Sequence, residues 1–230
     1  MSFSGLEVVK EITVKQTAEI IIRRASPEDA SVAAELMYEA SRGYVHIIFG
    51  QPESRANGLA ISAFAEVFPV PGHIQSYSHT FVAESDRGVA GIFLGFDKKT
   101  RAAAMRNSYK LIFSWLKRVR LLNIPRLIRF AIGMGTAFVP VSGEDYYIEY
   151  FAVLSERRLQ GIGRSLMQAA ELQARQKGLK RLALNVAIEN EGAQCFYERL
   201  GFQGAKTVAD KRYTRYGLKG EIRMVKYISD

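Results

Sequence analysis

The stretch YYIEYFAVLSERRLQGIGRSLMQAA, residues 146–170, decides the fold of this 230-residue sequence. Residues 146–154 are rich in aromatic and β-branched side chains, which predicts a strand. Apolar residues then recur at helical spacing from Ile162 onward, and Gly178 is a typical stop for that helix. The stretch therefore predicts a strand, a short loop and a helix.

The loop of this unit carries two glycines, Gly161 and Gly163. Glycine lets the backbone turn tightly and approach a ligand, and the unpaired N–H groups of a helix start favour phosphate. A dinucleotide loop would need glycine where Leu166 stands. A P-loop would need glycine and lysine where Arg158 and Arg164 stand. The pattern that remains is R-x-x-G-x-G.

Strand and helix patterns alternate along most of the chain, which predicts an α/β fold. The other predicted strands are 19–24, 79–84, 88–96, 181–188 and 221–228. The other predicted helices follow Ser26, cover 53–67 and follow Asn190, with Ser26 and Asn190 as N-caps. We expect one domain over 1–230, with an N-terminal extension at 1–18 and an insert at 97–140.

Together, the strand YIEYFAV, the loop RRLQGIG and the later NEGAQCFYERLGF resemble the GNAT superfamily of acyl-CoA-dependent N-acyltransferases. The matching positions are Arg158, Gly161 and Gly163 in the loop, and Asn190, Tyr197, Gly201 and Phe202 in the later pattern. The resemblance covers 146–203, extends to the opening IIRRASPEDA and is silent over the insert. It implies a mixed, partly splayed sheet flanked by helices, with acyl-CoA wedged between strands 146–154 and 181–188.

The implied function is an enzyme, an N-acetyltransferase that moves an acetyl group from acetyl-CoA to a primary amine of a small molecule or peptide by direct attack. Acetyl-CoA is the co-substrate, and a backbone N–H of 151–153 would hold the oxyanion. The expected cofactor contacts are Phe151, Ala152, Val153, Arg158, Leu159, Gln160, Gly161, Ile162, Gly163, Arg164 and Asn190. An acyl-CoA-binding regulator without turnover is the alternative.

Glu149 is the candidate general base. A regular strand places Tyr147, Glu149, Phe151 and Val153 on one face, and a carboxylate among aromatic rings is poorly solvated, which favours its protonated form. The resemblance implies a base at this position or two residues earlier, at Tyr147. The other readings of Glu149 are a carboxylate in solvent or one paired with an arginine.

Tyr197 is the candidate general acid or hydrogen-bond donor for the departing CoA thiolate, and the resemblance carries this role. The alternative is a packed helix aromatic. Cys195 is read as an inert small residue. Acceptor contacts are expected from Tyr147 and from Tyr44 and His46, in a loop at 43–51 between the first two helices.

The net charge of +9 comes from the insert, because residues 97–140 hold ten basic residues and one acid. The remaining 22 basic and 22 acidic residues cancel. The insert is expected to form helices at about 100–119 and 124–134. It is read as a solvated lid, as a lid that steers anionic substrates, or as a membrane-surface segment. No nucleic-acid partner is expected, since no recognition motif accompanies the charge.

Composition excludes several further kinds of protein. A single cysteine excludes an intrachain disulfide, and three scattered histidines make no metal site, so we expect no metal. The first residues carry acids and no apolar run, unlike a secretory signal, and the uncharged run 130–143 is too short to span a membrane. The expected location is the cytoplasm, and a homodimer is left open.

Overall fold

The computed structural model describes residues 20–49, 53–111, 139–209 and 219–228, with side chains of all these except 42–49 and 53–56. The predicted N-terminal extension and residues 112–138 of the insert therefore lie outside the described residues. Of the insert's two predicted helices, the second lies there entirely.

A seven-stranded mixed sheet forms the centre of the described chain, in the order β1-β2-β3-β4-β5-β7-β6. Neighbouring strands are antiparallel except β4 and β5, which are parallel. The strands are β1 (Ile21–Arg24), β2 (Thr80–Ser85), β3 (Gly88–Phe96), β4 (Asp145–Val153), β5 (Arg181–Ala187), β6 (Gln203–Ala209) and β7 (Gly220–Tyr227). The α/β prediction is confirmed, while β6 was not predicted.

Helices cover both faces of the sheet. They are α1 (Ala30–Phe49), α2 (Glu53–Val67), α3 (Lys98–Ser108), α4 (Ile162–Gln176) and α5 (Glu191–Arg199). One buried cluster joins α1, α2 and α3 to one face of the sheet, and a second joins α4 and α5 to the other. The predicted loop at 43–51 is wrong, because α1 continues through Phe49.

Local sequence signals account for the start of α1. Ser26 precedes a 3-10 turn at Pro27–Asp29, and its backbone N–H donates to the Asp29 carboxylate at 2.8 Å. Asp29 also accepts two hydrogen bonds from Arg23 at 2.8 and 2.9 Å, which tie the turn to β1. The predicted N-cap is confirmed.

None of the helices within the described ranges is long and apolar enough to cross a membrane.

Candidate functional site

The sheet opens between its two parallel strands. β4 and β5 pair only over four positions, from Asp145 opposite Arg181 to Ile148 opposite Leu184. Beyond Ile148, β4 continues to Val153 beside β3 but has no partner in β5. The splay that the resemblance implied is therefore present.

A β-bulge at Glu149 shifts the faces of β4. Leu94 of β3 lies opposite Tyr150, whereas the next residue, Gly95, lies opposite Ile148, so Glu149 is an extra residue. Phe151 and Val153 consequently pack with α4, on the face opposite to Tyr147. The prediction that Tyr147, Glu149, Phe151 and Val153 share one face is wrong, because regular alternation stops at the bulge.

The open edge of β4 presents backbone groups to the gap. The Leu154 N–H donates to the Ala90 carbonyl at 2.9 Å, which makes this a hydrogen-bonded pair with β3. Because hydrogen-bonded and non-hydrogen-bonded pairs alternate in an antiparallel ladder, Phe151 and Val153 turn their N–H and C=O groups away from β3. These amides therefore point into the space that β5 has left.

The glycine loop lies at the end of this edge, where α4 begins. Gly161 is the N-cap of α4 with φ +84°, a left-handed conformation that favours glycine, and open space surrounds the site of a Cβ there. Leu159 also has a positive φ, +63°, and its side chain is fully exposed. The first amides of α4 have no partner within the helix, and a phosphate seat on them stays a prediction.

Arg158 joins the loop to the open edge. Its Nε donates to the Val153 carbonyl at 3.2 Å, and its Nη2 lies 4.0 Å from the Glu39 carboxylate of α1. The guanidinium is more than half exposed, so it also remains accessible to an anion. Gln160 and Arg164 are exposed beside it, and Ile162 is buried under α4.

An aromatic cluster connects β4, the glycine loop and α5. The Tyr197 ring lies 6.1 Å from Phe151, 5.4 Å from Phe196 and 5.7 Å from Phe202, between ring centres. A Cβ on Gly163 would lie 2.9 Å from the Phe196 ring, so glycine is needed here for packing as well as for any ligand. Three predicted site residues, Phe151, Gly163 and Tyr197, thus converge.

Tyr197 is buried, with 7% of its surface exposed. Burial raises the pKa of its hydroxyl, which therefore keeps its proton across the physiological range. The hydroxyl is therefore a hydrogen-bond donor.

Glu149 lies on the other face, in an ion pair with Arg101 of α3. Arg101 donates to the two carboxylate oxygens from Nε at 2.7 Å and from Nη2 at 3.3 Å. The Arg101 side chain is 14% exposed and the Glu149 side chain is 19% exposed. Of the alternatives for Glu149, the structure shows the carboxylate paired with an arginine. The carboxylate is satisfied by a cation instead of standing unsolvated among aromatic rings.

Tyr147 lies between two guanidinium groups, with Arg101 5.2 Å and Arg223 4.8 Å from its ring centre. Burial raises the pKa of Tyr147 well above its usual range. Arg223 is itself buried and donates to the side-chain oxygen of Asn185 and to the Val139 carbonyl, at 2.6 and 2.5 Å. The two ends of the insert, α3 and Val139, therefore flank this cluster.

Sequence reasoning missed Arg101 and Arg223. Arg101 stands 48 residues before its partner, so no local spacing connects them. The usable signal was indirect: a glutamate in a strand rich in aromatic residues needs a cation, and the basic insert begins just before Arg101.

The remaining predicted residues are placed as follows. Asn190 caps α5, accepting from the Ala193 N–H at 3.1 Å, and is exposed near the end of β5. Tyr44 and His46 belong to α1, and their contacts with an acceptor stay predictions.

Comparisons with known proteins agree with this geometry. Residues 121–202 match the model of the Acetyltransferase (GNAT) family. A 74-residue stretch is 39% identical to N-alpha-acetyltransferase 30 of Schizosaccharomyces pombe (strain 972 / ATCC 24843), covering 32% of this chain and 46% of that protein. The match thus spans less than half of that relative.

Two solved structures share the fold. An N-acetyltransferase from Staphylococcus aureus Mu50 superposes with a TM-score of 0.60 at 21% identity, covering 90% of this chain and all of that one. The PaiA N-acetyltransferase from Thermoplasma acidophilum, in complex with coenzyme A, gives 0.55 at 16% identity, covering 91% and 99%.

The mixed seven-stranded sheet flanked by helices matches the fold of these acetyltransferase structures. Residues 121–202 match the GNAT family model, and the resemblance read from the sequence is confirmed.

Proposed function

We propose that the chain transfers an acetyl group from acetyl-CoA to a primary amine by direct attack. The observation that carries the proposal is the gap between β4 and β5, which ends at the glycine loop. A slot lined by free strand amides and closed by a phosphate seat suits a thioester on a long arm that ends in phosphates. The CoA complex of the PaiA enzyme, which shares this fold, adds support.

In this proposal the pyrophosphate of CoA binds the amides of 161–164, with Arg158 beside it. The acyl arm follows the open edge of β4 at Phe151, Ala152 and Val153. Asn190 borders the other side of the gap, near the end of β5.

The acceptor amine attacks the thioester carbonyl, forming the C–N bond and placing charge on the carbonyl oxygen. The N–H of Phe151 or Val153 donates to that oxyanion, because both amides face the gap. The C–S bond then breaks and the electron pair leaves on the CoA sulfur.

Tyr197 serves the leaving group by donating a hydrogen bond to the thiolate. Full proton transfer is disfavoured, since an ordinary tyrosine has a pKa of about 10 and a thiol about 8.5, an uphill step of about 2 kcal/mol. Burial raises the pKa of Tyr197 further, which favours the hydrogen-bonded role.

Glu149 accepts the proton of the amine, directly or through a water. Its two oxygens offer about four acceptor positions, of which Arg101 uses two. Glu149 and Tyr197 lie toward opposite faces of the sheet, so the amine can approach from the α3 side while the thiolate leaves on the α5 side.

The name of the fission-yeast relative favours an α-amino group of a peptide as the acceptor. An α-amino group has a pKa of about 7.7–8.0, so about one molecule in ten is unprotonated at pH 7. A lysine-like amine, with a pKa of about 10.4, is unprotonated in roughly one molecule in a thousand. An α-amine therefore needs less help from Glu149.

The single exposed cysteine, Cys195, fits a reducing compartment such as the cytoplasm.

Release of free thiol from acetyl-CoA tests the proposal. The acceptors are a peptide with a free N-terminus, the same peptide blocked at its N-terminus but holding a lysine, and a small diamine. We expect thiol release with at least one, and mass spectrometry should find one acetyl group added. CoA binding without thiol release across the panel would instead support an acyl-CoA-binding regulator.

A further inference from the structure

A cavity of about 80 Å³ lies between β1, the β3–α3 junction, β4 and the last turn of α4. It shares no residue with the glycine loop, Glu149 or Tyr197. Its polar lining includes Arg24, His79, Asp97, Thr100, Tyr146 and Lys177.

The acidic group of the cavity is already satisfied. Asp97 accepts hydrogen bonds from the Thr100 N–H at 2.8 Å, the Thr100 hydroxyl at 2.7 Å and the Lys177 ammonium at 2.8 Å. Burial opposes its ionisation, but the hydrogen bonds from Lys177 and Thr100 outweigh it and hold the pKa of Asp97 well below its usual range. Asp97 therefore stays charged and has little capacity left for a further donor.

The Tyr146 hydroxyl, by contrast, lacks an acceptor within the described part of the chain. Tyr146 is 2% exposed, and its ring fills the space above Gly95, where a Cβ would lie 2.4 Å from it. Its hydroxyl has no hydrogen-bond partner among the described residues. Burial raises the pKa of Tyr146, so the hydroxyl keeps its proton and is a donor. A buried polar group left in this state is costly.

Arg24 is a second donor in the lining, and it is exposed rather than buried. Its guanidinium lies over the Phe81 ring, 4.9 Å from the ring centre, and within the same described ranges it donates to no acceptor. Arg24 and Lys177 against Asp97 leave a charge of about +1 in the cavity. His79, whose pKa is lowered first by burial and then by neighbouring positive charge, adds a neutral ring N–H near neutral pH.

We propose that this cavity binds one small oxyanion, of the size of phosphate or acetate. The anion would accept from the Tyr146 hydroxyl and the Arg24 guanidinium, with Lys177 and His79 beside it. This arrangement supplies the acceptor that the buried Tyr146 hydroxyl lacks within the described ranges, gives the exposed Arg24 guanidinium a partner, and balances the residual charge. The site stands independently of the acetyl transfer.

The test follows the ring resonances of His79 by NMR while inorganic phosphate, and separately acetate, is added to the full chain. His79 is assigned with a His79→Gln variant. We expect a saturable shift of the His79 ring with at least one of the two anions. Because the probe lies in the cavity, phosphate bound at the glycine loop does not produce this signal.

Variants separate the site from bulk anion effects. Arg24→Gln and Tyr146→Phe should each weaken the anion about ten- to a hundredfold, as loss of a hydrogen bond to a charged group does. Arg175→Gln, on the exposed face of the last turn of α4, is the matched control and should leave the affinity unchanged. Without anion, Tyr146→Phe should melt no lower than the wild type, because the removed hydroxyl was unsatisfied.

A linear, non-saturating shift with both anions overturns the proposal. So does equal affinity in the wild type and in a folded Arg24→Gln or Tyr146→Phe variant.

Discussion

Breaking the ion pair between Arg101 and Glu149 should destabilise the fold measurably. The guanidinium and carboxylate meet at 2.7 and 3.3 Å, and both side chains are less than a fifth exposed. Their gross attraction is about 4 kcal/mol at an effective dielectric constant of 20, part of which desolvation offsets. Arg101→Gln and Glu149→Gln should each cost about 1–3 kcal/mol, because each leaves a part-buried charge without its partner.

A double-mutant cycle isolates the interaction. The double variant should cost less than the sum of the single variants by about 1–2 kcal/mol, since neither charge then remains alone. Urea unfolding measures these free energies. In thermal melts, the Tm of a domain of this size shifts by about 2–4 °C per kcal/mol. Lys180→Gln and Glu144→Gln form the control, because that pair is 75% and 52% exposed and should couple by less than about 0.5 kcal/mol.

The same variants test the chemistry. Glu149→Gln should lower thiol release most near pH 7, by about 10²–10⁴-fold, and recover partly at high pH, where the free amine is abundant. If the double variant costs the sum of the two single variants to within about 0.3 kcal/mol, the ion-pair argument is refuted. An unchanged pH profile in Glu149→Gln would exclude Glu149 as the base.

Three further outcomes are expected. Gly161→Val should reduce CoA affinity more than tenfold by calorimetry while the protein still unfolds cooperatively, because valine disfavours the left-handed turn at the phosphate seat; unchanged affinity would contradict the loop assignment. Gly163→Ala should lower stability by about 1–2 kcal/mol in urea unfolding, because its Cβ meets the Phe196 ring at 2.9 Å, and a neutral effect would contradict the packing described. Tyr197→Phe should lower turnover by about ten- to a thousandfold with acetyl-CoA affinity nearly unchanged. Full activity in this variant would show that another group donates to the thiolate.

The features predicted best from the sequence are those that neighbouring residues determine. The unit of β4, glycine loop and α4 was read correctly because aromatic strand residues, two glycines and a helical repeat stand next to one another. Gly161 and Gly178 both have a positive φ, as their places at the two ends of α4 require. The caps at Ser26 and Asn190 were equally local.

Features that depend on distant partners were not predictable in the same way. The bulge at Glu149 arises from the register of β4 against β3, so the two faces of β4 could not be assigned from β4 alone. β6 was missed because QGAKTVA is a mostly exposed edge strand held by β7, with little apolar alternation to reveal it. The stretch GYVHIIF, for which the sequence predicts a loop, forms the end of the long helix α1.

A crystal structure of the chain with CoA tests the central claim most directly. The account predicts the pyrophosphate on the amides of 161–164, the pantetheine arm along Phe151 and Val153 in the gap between β4 and β5, and the sulfur within reach of the Tyr197 hydroxyl. CoA bound elsewhere, or a gap closed by further pairing of β4 with β5, would contradict it.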